Sequence, residues 1–361
     1  MNAAVLDDAV ALAGFDRSGM LEAIASLPTQ LRDGWARTRG LTLPASHRGA
    51  HSVAVLGMGG SAIAGDLVRG VFAERLRVPL ITVRDYELPA FAGPGTLVVA
   101  SSYSGATEET IAALTTALER KCPVVIVTTG GPLLEVARRA ELPHLTFPGR
   151  GQPRASVGYS LVLLAGLLER AGYVALSNAE VEAAARAAEA VVAANMPAVP
   201  TESNAAKQLA WSVVGRLPIV EAAGFLAPVA RRWKTQLNEN GKTSASWEEL
   251  PEATHNAVVG YAEPEPLREH LFVVFLASPD DHPRNALRAA VSAELLASSQ
   301  IGHQVVPVAG QGRLAQACHA IVLGDFVSAY LAVLYGLDPT PVEAIATVRA
   351  RLSVAMAGDE G

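Results

Sequence analysis

Residues 96–110 read TLVVASSYSGATEET, and the order of residue types along this stretch decides what kind of fold the chain makes. Leu97, Val98, Val99 and Ala100 form an apolar run without polar alternation, the pattern of a short strand buried on both faces of a parallel sheet. The run breaks at Ser101, Ser102, Ser104 and Thr107, which crowd around Gly105. Glu108 and Glu109 then open an Ala-rich helical pattern from Ile111 to Leu118. Hydroxyls and main-chain N–H groups are thereby set where a strand's carboxyl end meets a helix's positive end, which is where α/β sheets bind anions. Phosphate is the guest this arrangement suits.

Working outward, strands are expected at Ser52 to Val55, Pro79 to Val83, Val124 to Thr128 and His144 to Phe147, with helical patterns at Thr110 to Leu118 and Leu133 to Ala140. That alternation is a doubly wound parallel sheet. Upstream, Met20, Ile24, Leu27, Leu31 and Trp35 recur at helical spacing and predict one packing helix. Downstream, the loop GRGQPRASVGY (Gly149 to Tyr159) leads into an apolar helix through Leu168, and Ala-rich helices follow at Ala179 to Ala194 and Ala205 to Val214. A second α/β set then begins: a strand at Leu217 to Glu221, a helix to Leu237, strands at Leu271 to Leu276 and Gln304 to Val308, and helices at Arg284 to Ser299 and near Phe326 to Tyr335. A last helix is expected from Pro341 to about Leu352. The linker-like MPAVPTES places a boundary near Ala198 to Ser203. The expected units are a helical arm over 1–48, a first domain over 49–197 and a second over 198–361.

Composition bounds the function. A length of 361 residues suits two domains, and with 50% hydrophobic but 5% aromatic residues the core must be built from Ala, Val and Leu. A formal charge of −6 offers no global attraction to nucleic acid or an anionic membrane, although a local pocket can still hold an anion. Cys122 and Cys318 lie far apart without a C-x-x-C partner, so neither a disulfide framework nor a zinc site is expected. The start lacks a basic n-region and carries Asp7 and Asp8, and the longest apolar run, Leu161 to Leu168, is too short to span a bilayer. A cytoplasmic protein is expected.

Gly57-Met58-Gly59-Gly60-Ser61-Ala62 fits the G-x-G-x-x-G/A dinucleotide pattern, but the ribose-binding acid due about 20 residues on is missing, since Asp85 comes too late. A P-loop fails too, because Gly241-Lys242-Thr243 would need Gly at 236, where the chain has Gln236. What remains is an anion nest with a hydroxyl in it. Ser61 and the Ser102-x-Ser104-x-x-Thr107 set can converge on one phosphate if their strands are neighbours. The rival reading, that they only cap two helices, is outweighed by having several hydroxyls on two Gly-containing turns.

The second constellation is LNENGKTSASWEELPEATHN, Leu237 to Asn256. Val229, Trp233 and Leu237 supply the preceding helix's core stripe, so Glu239 is not needed there. A carboxylate at a helix C-terminus opposes the macrodipole, which makes Glu239 a poor structural choice and a candidate base. Glu248, Glu249 and Glu252 read as solvated charges on a short turn. His255, in a polar loop between Thr254 and Asn256, is either a surface residue or a catalyst.

Together GMGGSA, SSYSGATEET, GQPRAS, NENGKT, PEATHN and the terminal DPTPVEAI resemble the bifunctional phosphoglucose/phosphomannose isomerases of the sugar-isomerase (SIS) domain superfamily, over nearly the whole chain. The resemblance implies two α/β SIS-type domains, each doubly wound, mainly parallel and three-layered. It further implies that Gly60, Ser61, Ser102, Ser104 and Thr107 grip a sugar 6-phosphate. Glu239 would shuttle a proton between C1 and C2 of the open-chain sugar, Arg154 would stabilise the enediolate, and His255 would assist ring opening from the partner subunit of a homodimer. No cofactor and no metal are implied. One departure stands out. The family's last helix carries a lysine four residues beyond the isoleucine, and here Ile345 is followed at that spacing by Arg349, which keeps the charge but cannot donate a proton at neutral pH. Thr340 is retained as a candidate auxiliary. The expected activity is interconversion of glucose 6-phosphate, mannose 6-phosphate and fructose 6-phosphate. The rivals are a non-catalytic sugar-phosphate sensor and, more remotely, an NAD(P) enzyme.

Overall fold

A computed structural model gives the fold for residues 3–149 and 151–358. Among these residues nine strands form two sheets. The first has the order β2-β1-β3-β4-β5, from β1 (Ser52–Leu56), β2 (Leu80–Val83), β3 (Thr96–Ser102), β4 (Val124–Thr128) and β5 (His144–Thr146). The second has the order β7-β6-β8-β9, from β6 (Leu217–Ala223), β7 (Ser246–Leu250), β8 (Leu271–Ala277) and β9 (Gly302–Pro307). Every strand pairing is parallel.

Side-chain alternation along the apolar runs explains the layers. Val53, Val55, Leu97 and Val99 pack on Ile63 and Leu67 of the Gly59–Val71 helix, while Ala54, Leu56, Val98 and Ala100 meet Ala113, Leu114 and Ala117 of the Glu108–Glu119 helix. The second sheet does the same: Val220, Val274 and Leu276 share the main core with Trp233 and Ile321, and Ile219, Val273 and Phe275 pack on Leu296. The main core is continuous between the two sheets, so the halves are joined by apolar packing. In the first sheet winding reverses between β1 and β3, which makes their carboxyl ends the switch-point crevice of the fold.

Several expectations are corrected. The N-terminal packing helix is two helices, Met20–Ala25 and Leu27–Arg39, because Pro28 lacks an N–H and suits the first turn of a new helix. The helix expected near Phe326 to Tyr335 is the much longer Arg313–Leu334, which is apolar all round and so shows no periodic stripe. It, rather than Leu161 to Leu168, is long and apolar enough to cross a bilayer, yet 94% of its most apolar window is buried in the protein as a core helix. Glu248 and Glu249 do not lie on a turn but in the edge strand β7, whose single-sided pairing tolerates charge. The last helix is Glu343–Gly358, and its described side chains are exposed.

Candidate active site

The β1–β3 register pairs Leu56 with Ala100 and so sets the turn after β1 beside Ser101 and Ser102. Gly57 permits the approach, since a Cβ there would lie 2.9 Å from the Ser101 carbonyl. Hydroxyls then knit the turns together. Ser61 Oγ accepts from Tyr103 N at 3.2 Å, Ser102 Oγ lies 2.7 Å from Thr107 Oγ1 and accepts from Gly105 N at 3.1 Å, and Ser104 Oγ accepts from Ala106 N at 3.2 Å. Gly105 is required by its φ of +67° and by the Gly130 carbonyl, 1.8 Å from where a Cβ would stand. Neither the Gly59–Val71 helix nor the Glu108–Glu119 helix has a side-chain N-cap. The capping role is therefore not what these hydroxyls perform, and both helix ends keep N–H groups that an anion can accept from.

Gly60 connects this crevice to the rest of the site. A Cβ on it would meet Pro153 O at 3.2 Å and Arg154 Cα at 3.5 Å, so its absence lets the short Pro153–Ser156 turn rest on the loop. That turn presents Arg154, which is buried with nearly all its donors spoken for. Nε donates to Asn240 Oδ1 at 2.5 Å, and Nη2 to the carbonyls of Pro339 at 2.9 Å and Thr340 at 2.7 Å. Nη1 donates to Gln152 Oε1 at 3.2 Å and stands 3.7 Å from Glu239 Oε2. Behind it, Arg232 Nη2 donates to the Arg154 carbonyl at 2.9 Å and to the buried Asp325 carboxylate at 2.6 Å. Burial pushes the Arg154 guanidinium below its ordinary value, with Arg232 adding to the effect and Glu239, Asp325 and Asp338 opposing it.

Glu239 is the last residue of the Ala227–Glu239 helix, which Pro228 starts and Val229, Trp233 and Leu237 seat in the core. Its carboxylate sits where the helix end is negative, and Arg154 and Lys242 supply the compensating charge. Thr340 is brought to Arg154 through its carbonyl, while its Oγ1 is buried with no hydrogen-bond partner among the described residues. Arg349 is exposed on the last helix. His255 is exposed at the end of the Glu252–His255 turn, and among the described residues no hydrogen bond or ion pair joins it to Arg154, Glu239 or the serine turns. That turn is anchored by Arg288 Nη1 donating to Thr254 Oγ1 at 2.7 Å, and just beyond it Tyr261 OH donates to the buried Glu221 at 2.6 Å. No group of His, Cys, Asp or Glu fit to hold a metal occurs among the described residues.

Residues missed in the sequence are Asn240, Lys242, Arg232 and Asp325. Asn240 and Lys242 had a signal in their place directly after Glu239, but Arg232 and Asp325 are far apart in the chain and only the fold pairs them.

Comparison with known proteins bears on the family and the fold. The profile of the bacterial phospho-glucose isomerase C-terminal SIS domain matches residues 202–352. The chain is similar to the bifunctional phosphoglucose/phosphomannose isomerase of Caldicellulosiruptor bescii, at 35% identity over 335 residues that cover 92% of this chain and 99% of that one. A protein of the same name from Aquifex aeolicus is 32% identical over 297 residues, covering 82% and 88% of the two chains. A hypothetical protein from Thermus thermophilus, of known crystal structure, shares the fold with a TM-score of 0.74 at 18% identity, over 96% of this chain and 93% of that one. The site's residue pattern, the two parallel sheets and these likenesses converge: the chain belongs to the bifunctional phosphoglucose/phosphomannose isomerase family.

Proposed function

We propose that this protein is an aldose–ketose isomerase that interconverts glucose 6-phosphate or mannose 6-phosphate with fructose 6-phosphate through a cis-enediolate. The observation that carries the reading is the Arg154–Glu239 pair, 3.7 Å apart, with Arg154 packed on the glycine loop of the anion crevice. A C–H next to a carbonyl is weakly acidic, so its removal needs a positioned base, and Glu239 is that base. The enediolate's negative oxygen meets Arg154, whose charge persists and whose bonds hold it rigid. Ser61, Ser102, Ser104, Thr107 and the Gly60 loop bind the phosphate, far from the reacting carbons, and their binding energy holds the open chain in place. A sensor needs the crevice but not the pair. Incubating the protein with fructose 6-phosphate in deuterated water is expected to put deuterium at C1 of the ketose and C2 of the aldoses. Binding without label contradicts the isomerase and favours the sensor.

The same reading makes the protein a homodimer in which His255 serves the partner's site, opening the sugar ring. Leu287, Val291 and Leu295 form a stripe on the Pro283–Ser298 helix at 53%, 44% and 51% exposure, and Val259 near His255 is 78% exposed. Arg288 of that helix donates to Thr254, so the stripe and the His255 turn share one surface, and that surface is the dimer contact this reading requires. Mixing the inactive Glu239→Gln protein with an equal amount of the slowed His255→Asn protein is expected to raise activity on cyclic substrate to about a quarter of wild type, since half the dimers are hybrids and each holds one intact site of two. No recovery after subunit exchange contradicts the shared site.

A further inference from the structure

Lys242 is the second cation beside Glu239, and all its bonds run to main-chain oxygen. Its Nζ donates to the carbonyl of Glu239 at 2.6 Å, to that of Pro339 at 3.1 Å and to that of Pro341. An ammonium has three donors, so the set is full. Arg154 Nη2 donates to the same Pro339 carbonyl and to that of Thr340. Two cations therefore close on one segment, and the carbonyl dipoles of residues 339–341 offset the repulsion between them. The backbone of Lys242 is left-handed, with φ at +54°, a conformation a lysine adopts only when its surroundings hold it there.

We propose that Lys242 is a positioning residue for the isomerase reaction, tying the end of the Glu239 helix to the Pro339–Pro341 segment so that the Glu239 carboxylate stays in register with the Arg154 guanidinium. The inference rests on the roles given to Glu239 and Arg154 under Proposed function. The last carbonyls of a helix have no partner within it, and the final turn frays unless something holds them. Glu239 is that final residue, and a clamp on its own carbonyl fixes the Cα from which the carboxylate hangs. With three donors committed, Lys242 has none for the substrate and acts through its neighbours. Burial pushes the Lys242 ammonium below its ordinary value and Arg154 adds to this, with Asp338, Glu239 and Glu343 opposing.

The test replaces and then rebuilds the ammonium. Lys242→Cys is expected to lower kcat about 100-fold, the scale of an ångström-sized misplacement, with KM for fructose 6-phosphate moving less than about threefold. Alkylation with 2-bromoethylamine, which restores an ammonium on a side chain of lysine's length, is expected to recover at least about tenfold in kcat. The native Cys122 and Cys318 are buried, so the reagent reports on position 242. Lys242→Arg provides a second variant that keeps the charge: a planar fork replaces a point donor, and kcat should fall between wild type and Lys242→Cys. The proposal is overturned if both variants turn over like wild type, if KM rises while kcat holds, or if alkylation restores thermal stability without restoring kcat. Glu239→Gln assayed alongside separates the two claims. If it is inactive while Lys242→Cys is fully active, only the clamp is wrong; if it is active, the assignment of the base has failed.

Discussion

Glu239→Gln is expected to lower kcat by about 10³-fold or more, within the range that a general base supplies, while fructose 6-phosphate binds with near wild-type affinity. The substitution keeps the shape of the side chain and removes the one group able to take a proton from carbon. Little else leans on that carboxylate. Its helix is seated by Trp233 and Leu237, and the Arg154 guanidinium keeps its bonds to Asn240, Pro339 and Thr340 when Glu239 is neutral. The phosphate turns are built from other residues altogether. A protein with unchanged melting temperature, saturable binding by calorimetry and no isomerisation is the expected result. Turnover within tenfold of wild type contradicts the role of Glu239.

Arg154→Lys should be nearly as severe, lowering kcat by about 10²- to 10³-fold, the cost of removing one preorganised donor to a developing oxyanion. The change keeps the charge but not the fork. Arg154 uses Nε toward Asn240 Oδ1 and Nη2 toward two carbonyls while Nη1 stays on the Glu239 side, and a single ammonium cannot serve these directions together. Buried acceptors left without donors cost about 1–3 kcal/mol each, so a lower melting temperature is expected as well. Scaling kcat to the folded fraction separates the two effects. A lysine variant of normal kcat and normal stability contradicts both roles.

Much of this site was legible in the residues because its parts are local. A strand followed by a serine-rich turn and an acidic helix start is one short segment, and apolar runs in the central strands report burial on both faces without any knowledge of partners. The rest is set by tertiary context. SWEEL, Ser246–Leu250, lacks the apolar run of a central strand because it pairs on one side only, as an edge strand. The Arg313–Leu334 helix shows no stripe because it is buried all round. Arg232 and Asp325 look like ordinary surface charges in the sequence, yet the fold buries them together behind Arg154, where their pairing replaces the water they lose. Lys242 stands in the NENGKT motif, but its clamp cannot be read there, because its three carbonyl partners come from two segments about a hundred residues apart.

The most direct measurement is the crystal structure of the complex with 5-phosphoarabinonate, a mimic of the enediolate. Its phosphate is expected on Ser61, Ser102, Ser104 and Thr107, its carboxylate end hydrogen-bonded to Arg154 Nη1, and its reacting-carbon end within about 3.5 Å of a Glu239 oxygen. A phosphate seated in that crevice with Glu239 out of reach of the far end of the sugar, or a phosphate bound somewhere else, contradicts it.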